Sequence, residues 1–101
     1  MQVVRDVLEF EWDKGNTGKN KLRHDVEDNE AEEVFLDEHR FIFKDHLHSG
    51  NEERLRILGK TKKDRLLFIV FTKRRKKIRV ISARDINKKE VHLYEEKINP
   101  S

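Results

Sequence analysis

The stretch Lys73–Arg84, with the sequence KRRKKIRVISAR, combines a high positive charge with residues that favour a β-strand. Seven of its twelve residues are basic and none is acidic. Ile78, Val80 and Ile81 nevertheless give it the β-branched content of a strand. The sequence therefore predicts a strand that carries the charge and holds cationic side chains in fixed positions.

Two arginines of this strand are candidates for binding phosphate. Arg79 and Arg84 carry planar, permanently charged guanidinium groups that can hold a phosphate through two hydrogen bonds. In an ideal strand these residues face opposite sides, so a shared site requires the strand to end or bulge near Ser82. We therefore expect Arg84 to lie beyond the regular strand. The alternative is that the basic residues only keep a sheet edge soluble.

Composition limits the class of protein. The 101 residues fit one domain, of which 43% are charged and 35% hydrophobic. Cysteine is absent, which excludes disulfides, zinc–thiolate sites and cysteine nucleophiles and favours a cytoplasmic protein. No apolar run approaches the roughly 18 residues of a membrane span, and the first residues lack a signal-peptide core. We expect neither membrane insertion nor export.

The net charge of +3 conceals an uneven distribution of charge along the chain. Asp25–Glu38 contains eight acidic residues and no Lys or Arg, whereas Lys73–Arg84 contains only basic charges. One surface should therefore attract a polyanion, while the acidic segment could serve a basic partner.

The first third of the chain predicts two helices. Residues 1–9 alternate loosely and fit either a leading strand or a partly disordered segment. Phe10–Asp13 has a strand-like alternation and ends in a residue that can cap a helix over 14–24, although two glycines weaken that helix. Asp25 can cap a second helix over 26–35, where apolar residues recur at helical spacing.

The remainder predicts an antiparallel meander followed by a helix. The four strands are expected in the basic stretch and at Phe41–Phe43, Glu53–Lys60 and Leu66–Phe71. Leu66–Phe71 is apolar throughout, as expected of a strand covered on both faces. Asn87 and Glu90 have the spacing of a capping box that starts the C-terminal helix. We predict an α+β domain over 10–98 with two N-terminal helices, a four-stranded antiparallel sheet and a C-terminal helix.

Alternation also assigns side chains to the two sides of the strands. In Glu53–Lys60, one side carries Leu55 and Ile57, and the other carries Arg54, Arg56 and Leu58. In the basic strand, one side is expected to carry Ile78, Val80 and Ser82, and the other Arg79, Ile81 and Ala83.

A cysteine-free domain with clustered arginines can cleave RNA, because the substrate supplies its own nucleophile. The ribose 2′-hydroxyl attacks the neighbouring phosphate, so the protein need only move protons and stabilise charge on the phosphoryl oxygens. Arg79 and Arg84 suit the second task. His24 and Tyr94 could move protons, although a hinge position and an apolar helix face explain these two residues without catalysis.

One cluster, Asp45 with His46 and His48, raises the hypothesis of a metal site. A strand would place both histidines on one side, but two histidines and one carboxylate are few ligands for such a site. The chain also lacks the glycine-rich phosphate loop of a nucleotide-binding fold. We therefore predict neither a metal nor another cofactor.

Two segments are the most specific in the chain, Phe10–Asp13 (Phe-Glu-Trp-Asp) and Ile78–Arg84 (Ile-Arg-Val-Ile-Ser-Ala-Arg). Further residues with a characteristic order and spacing are Asn20, Arg23, His24, Val26, Ala31, Val34, Phe35, Asp37, Asp45, His48, Ser49, Glu52, Glu53, Arg54, Gly59, Arg65, Leu66, Leu67, Thr72, Arg74, Glu90, Tyr94 and Glu95. Together they resemble the BrnT family of toxins from bacterial type II toxin–antitoxin systems. The resemblance covers about residues 10–96.

The resemblance implies a compact α+β endoribonuclease with a RelE-like sheet, which cuts RNA without a metal and so inhibits translation. It implies a BrnA-type antitoxin partner that carries a ribbon-helix-helix DNA-binding domain. Operator DNA would then be bound only through the antitoxin. Two other functions stay open: a catalytically inactive nucleic-acid-binding module, and a module whose basic surface mainly receives an acidic antitoxin segment.

Site residues follow from the basic stretch and from the resemblance together. Phosphate would be bound and stabilised by Arg79 and Arg84, and RNA would also be held by Lys73, Arg74, Arg75, Lys76 and Lys77. His24 is the first candidate for proton transfer, because it belongs to an Arg-His pair and its free pKa lies near neutrality. The further candidates are Glu53, Arg54 and Tyr94.

Two departures from the family pattern concern backbone conformation. The family usually has glycine where Asp25 stands, and an Arg-Gly turn where this chain has Arg74 and Arg75. Glycine is the residue best suited to positive φ, and the turn at Arg74 and Arg75 lacks it here.

Overall fold

A sheet of five strands organises the chain, in a computed structural model that describes residues 9–45, 50 and 52–98. In chain order the elements are β1 (Glu9–Phe10), α1 (Lys19–His24), α2 (Asp28–Val34), β2 (Phe41–Lys44), β3 (Arg54–Lys60), β4 (Leu66–Arg74), β5 (Lys77–Asp85) and α3 (Lys88–Ile98). The strand order is β1-β5-β4-β3-β2. The α+β class is therefore confirmed. Within the described residues no helix is long and apolar enough to cross a membrane.

The predicted four-stranded antiparallel sheet is wrong in one respect, because β1 adds a fifth strand that runs parallel to β5. Glu9–Phe10 lies opposite Lys77 and Ile78, and the Glu11 amide donates to the Ile78 carbonyl oxygen at 2.8 Å. The other three strand pairs are antiparallel, as predicted. A strand of two residues is too short for its alternation to be distinguished from an extended linker.

The first helix begins at Lys19 and not at residue 14. Asp13 does not cap it. Instead, the Asp13 carbonyl oxygen accepts the Thr17 amide at 2.8 Å, and its carboxylate accepts the Gly15 amide at 2.8 Å. These bonds close a turn, which is the conformation that the two glycines of this segment favour over a helix.

The second helix is also shorter than predicted. It begins at Asp28 after Glu27, whose amide donates to the Glu30 carboxylate at 2.9 Å. Asp25 is therefore not its N-cap. With φ of 58° and ψ of 39°, Asp25 ends α1 in the left-handed conformation.

Each face of the sheet carries an apolar core, and β4 supplies side chains to both cores. Leu67, Ile69 and Phe71 pack with residues of α2 on one face, which we call the α2 face. On the other, the α3 face, Phe68 packs with Leu58 of β3 and Tyr94 of α3. The prediction that this strand is covered on both faces is confirmed.

β5 contains a bulge at Ile81. Val70 of β4 lies opposite Ser82, whereas the next residue, Phe71, lies opposite Val80, so Ile81 has no partner in the pairing. Of the two alternatives considered near Ser82, a strand end or a bulge, the structure has the bulge. It shifts the alternation by one residue, so that Ala83 and not Ser82 shares the α2-face core with Val80.

The bulge also brings Arg79 and Arg84 to the same face. Arg79 lies opposite Thr72 and Arg84 opposite Phe68, two β4 residues that share the α3 face. The expectation that Arg84 lies beyond the regular strand is wrong, since β5 continues to Asp85. The bulge alone provides the change of side.

Candidate functional site

A cleft of about 360 Å³ opens on the α3 face of the sheet. Three arginines line it, namely Arg54 and Arg56 from β3 and Arg84 from β5. Its other lining residues are Asp45, Phe68, Val70, Ile81, Ser82 and Glu90. Of the residues predicted for the site, the structure thus brings Arg54 and Arg84 together.

Strand pairing places these arginines around one apolar floor. Arg56, Val70 and Ser82 lie opposite one another in a row across β3, β4 and β5. Arg84 lies one row away on the same face, opposite Phe68. The arginines of β3 and β5 are separated by two strand spacings, or about 10 Å, which two long side chains can bridge. A group the size of a phosphate could contact both.

Arg84 is held in place by three contacts. Its two terminal nitrogens donate to the Glu90 carboxylate at 2.9 and 2.8 Å, forming a bidentate pair. One of them also donates to the Asp85 carbonyl oxygen at 3.0 Å. The guanidinium carbon lies 4.1 Å from the centre of the Phe68 ring, within the range of a cation–π contact. This guanidinium is oriented before any ligand arrives.

Glu90 links this site to the start of α3. The predicted capping box is present, because the Asn87 amide donates to the Glu90 carboxylate and the Glu90 amide donates to the Asn87 side chain, each at 2.9 Å. Burial raises the pKa of Glu90 more than any other single effect. The hydrogen bonds from Arg84 and Asn87, with the charges of Arg84 and Arg56, nevertheless hold that pKa below its ordinary value.

Arg56 is more enclosed than Arg84, with 27% against 36% of the side chain exposed. One terminal nitrogen donates to the Asp45 carboxylate at 3.0 Å, and the Asp45 side chain is only 3% exposed. The guanidinium carbon lies 5.5 Å from the Phe68 ring centre and 5.8 Å from that of Phe43. Its Nε is buried and has no acceptor among the described residues. Such an unsatisfied donor is uncommon outside functional sites.

Arg79 shares the α3 face but does not line the cleft. Its partner on β4 is Thr72, four residues from Phe68, the partner of Arg84, which corresponds to about 13 Å along the sheet. Its terminal nitrogens donate to Asp13 at 2.9 and 3.0 Å and to Glu11 at 3.1 Å. The hydrogen bonds from Arg79 are the main cause that lowers the pKa of Asp13. Arg79 thus fixes the segment after β1 to the sheet.

Two candidates for proton transfer, His24 and Tyr94, also lie outside the cleft. His24 is exposed at the end of α1, where its carbonyl oxygen accepts an Arg65 nitrogen at 3.5 Å. The Tyr94 hydroxyl is buried and donates to the Asp37 carboxylate at 2.5 Å. Burial, followed by this hydrogen bond, raises the pKa of Tyr94, so the hydroxyl stays protonated. Tyr94 fixes α3 to the segment that follows α2.

Glu53 and Arg54 are neighbours in sequence but lie on opposite sides of the sheet. Glu53 is exposed at the α2 face, where its carboxylate lies 3.2 Å from Lys44 Nζ, whereas Arg54 lines the cleft. The structure therefore separates these two predicted site residues.

The remaining predicted RNA-binding residues surround the turn between β4 and β5. All of these side chains are exposed, namely Lys73, Arg74, Arg75, Lys76 and Lys77. Arg74 donates to Glu52 at 2.7 and 3.1 Å and to Glu11 at 3.2 Å. The other four form no ion pair within the described part of the chain.

Among the described residues no group of three or more metal-ligating side chains comes together. Two members of the cluster considered for a metal, His46 and His48, fall outside the described residues.

Sequence reasoning did not assign Arg56, Asp45, Ser82 or Glu90 to the site. The alternation of β3 already places Arg56 on the side of Arg54, so a signal for it was available. Asp45 and Glu90 give no such local signal, because their relation to the arginines depends on pairing between strands and on where α3 docks. Ser82 reaches the cleft only because of the bulge.

One protein family matches most of the chain. A family model described as the ribonuclease toxin BrnT of type II toxin–antitoxin systems matches residues 12–90. A search of curated proteins found no match. The family match spans well over half of the 101 residues. The chain therefore belongs to the BrnT family of ribonuclease toxins of type II toxin–antitoxin systems.

Proposed function

We propose that this protein is an active endoribonuclease whose site is the cleft on the α3 face. The observation that carries the proposal is the meeting of Arg54, Arg56 and Arg84 on one open cleft. Three guanidinium groups around one cleft can bind a phosphate and stabilise the charge that develops on its oxygens, so the reaction needs no metal. Compared with the expectation from sequence, Arg56 replaces Arg79 as a phosphate ligand.

In this reaction the RNA 2′-oxygen forms a bond to phosphorus, and the bond from phosphorus to the 5′-oxygen breaks. A proton leaves the 2′-hydroxyl, and solvent water supplies another to the departing 5′-oxygen. We assign the first transfer to Glu90, because it lines the cleft and its carboxylate lies 2.9 Å from Arg84. The predicted role of His24 in proton transfer is tested by His24→Ala: since His24 lies outside the cleft, we expect the variant to retain cleavage, which would exclude that role.

The test is cleavage of a labelled RNA by the purified protein in EDTA. We expect the wild type to cut, and Arg84→Ala to cut about 100- to 1,000-fold more slowly, as when one charge-stabilising group of an active site is lost. Arg23→Ala is the matched control, since it removes an exposed guanidinium of α1 outside the cleft. Equal rates for Arg84→Ala and the wild type would refute the assignment. A slower rate supports it when both proteins unfold at the same urea concentration.

The cellular role follows from the same proposal. RNA cleavage in the cytoplasm would inhibit translation, and a BrnA-type antitoxin with a ribbon-helix-helix domain would neutralise the toxin and bind operator DNA. The family description supports an antitoxin partner in general. We also infer one RelE-like domain over 10–98, supported by four antiparallel strands that share cores on both faces.

One observation favours a second candidate, a nucleic-acid- or antitoxin-binding module without catalysis. Arg84 already forms a bidentate pair with Glu90, so the arriving phosphate must compete with an internal carboxylate. In that case the protein would bind RNA with an affinity that falls steeply with salt, without cutting it. The same assay distinguishes the two, because only a ribonuclease produces shorter RNA.

A further inference from the structure

A second concavity, which we call the basic groove, opens on the α2 face of the sheet and has a volume of about 560 Å³. Its floor is apolar and consists of Phe35, Ile42, Leu55, Phe71 and Ile78. Its rim is charged and consists of Arg40, Glu53, Lys73, Arg75 and Lys76. The groove therefore lies on the side of the sheet opposite the cleft.

The rim carries a positive charge that the described residues do not neutralise. Lys73, Arg75 and Lys76 are exposed and form no ion pair with the described residues. Arg40 donates to the Asp37 carbonyl oxygen at 3.0 Å. This acceptor is uncharged, so the bond does not neutralise the guanidinium group. Glu53, the acidic residue of the rim, lies 3.2 Å from Lys44 Nζ. The groove should therefore attract an anionic partner.

The floor favours a peptide over RNA. Single-stranded RNA binds by stacking its bases on exposed aromatic rings. Phe35 and Phe71 are each only 3% exposed, and they pack edge to face with ring centres 4.9 Å apart. The accessible part of the floor is aliphatic instead, with Ile42 45% exposed on the outermost strand β2. Aliphatic side chains of a protein partner fit such a floor.

We propose that the basic groove binds an acidic, amphipathic peptide segment of a protein partner. Apolar side chains of that segment cover Ile42 and Leu55, while its carboxylates pair with Lys73, Arg75 and Lys76. Because the sheet separates the groove from the cleft, a peptide can occupy the groove while RNA occupies the cleft. The inference goes beyond the proposed function and does not depend on catalysis.

The test measures the fluorescence anisotropy of a labelled amphipathic peptide built from Glu, Leu and Ala. We expect the acidic peptide to bind the full-length protein more tightly than the same peptide with Lys in place of Glu. Ile42→Asp should raise the Kd about tenfold or more, because it places a like charge against the peptide. The double variant K73E/K76E should do the same. Leu93→Asp is the matched control, since Leu93 is 42% exposed on α3.

Several outcomes would overturn the inference. Equal binding of the acidic and basic peptides would remove the charge argument, and equal effects of Ile42→Asp and Leu93→Asp would remove the groove. Displacement of the peptide by an RNA oligonucleotide whose own binding is lost in Ile42→Asp would make the groove an RNA site. Arg84→Ala should bind the peptide like the wild type, so failure of the groove and failure of the catalytic proposal are separable.

Discussion

Asn16 and Asn20 stabilise the part of β5 that β1 does not reach. The Asn16 side-chain nitrogen donates to the Val80 carbonyl oxygen at 3.1 Å. The Asn20 side-chain oxygen accepts the Ala83 backbone amide at 2.9 Å. Both asparagines are buried. Alanine at either position leaves a buried backbone group without its partner. We therefore expect Asn16→Ala and Asn20→Ala each to lower the free energy of unfolding by about 1–3 kcal/mol, measured by urea denaturation.

The chain offers a matched control for these two asparagines. Asn29 is exposed in α2, so Asn29→Ala should change the free energy of unfolding by no more than about 0.5 kcal/mol. If all three variants behave alike, the side-chain bonds to β5 contribute nothing measurable. Family resemblance marks Asn20, but only the structure explains it as a substitute for a neighbouring strand.

At the level of elements, the turn between β4 and β5 contains backbone strain. Arg74 pairs with Lys77, and Arg75, the first of the two turn residues, has φ of 58°. This is the position at which type II′ turns take glycine. Arg75→Gly removes the cost of a left-handed side chain but adds freedom to the unfolded chain. We expect a net gain of roughly 0.5–1 kcal/mol in the free energy of unfolding, measured in urea.

Lys76 provides the control for this turn, since it is not among the described residues with positive φ. Lys76→Gly should therefore lower the free energy of unfolding, because the added freedom of the unfolded chain is not offset. Asp25→Gly should gain less than Arg75→Gly, because aspartate tolerates the left-handed conformation better than arginine. The opposite ranking of the two glycine variants at 75 and 76 would disprove strain at Arg75.

Across the whole molecule, the sequence predicts the presence of helices and strands better than their first and last residues. Leu66–Phe71 has a long apolar run, and the predicted strand is present because such a run is stable only when both of its sides are covered. The start of α1 was predicted five residues too early, because a good capping residue at Asp13 says nothing about which competing turn forms. A strand-like alternation was recognised at Phe10–Asp13, but the place of β1 in the sheet was missed, because β1 pairs with residues 68 positions away in the chain.

The candidate site illustrates the same limit. The sequence marks Arg54 and Arg84 as candidates through residue type and resemblance, and it offers a bulge as one of two ways in which Arg79 and Arg84 could share a face. It cannot separate Arg79 from Arg84, because only the fold brings Glu11 and Asp13 to the first and Glu90 to the second. In chemical terms the two arginines are identical, and their surroundings give them different roles.

Carboxylates with a lowered pKa are distributed over the whole molecule and tie its elements together. Partners from elsewhere in the fold lower the pKa of Asp37 and Asp85 in particular. For Asp37, burial raises the pKa, but hydrogen bonds from Tyr94, His39 and Lys60 outweigh it. For Asp85, hydrogen bonds from Arg65 are the main cause. Further lowered values belong to Asp13, Asp25, Glu52 and Glu90.

This pattern predicts how stability depends on pH. A carboxylate whose folded-state pKa is below its unfolded-state value stabilises the fold at neutral pH, and that contribution is lost as pH falls. With ordinary values of 3.8 for Asp and 4.5 for Glu, urea denaturation at constant ionic strength should show the free energy of unfolding falling below about pH 5. High salt should weaken the dependence only in part, since it screens exposed pairs such as Asp25 with Lys21 but not the hydrogen bonds of Asp37. A stability that stays constant from pH 5 to pH 3 would contradict this account, because carboxylates could not then be stabilising the fold.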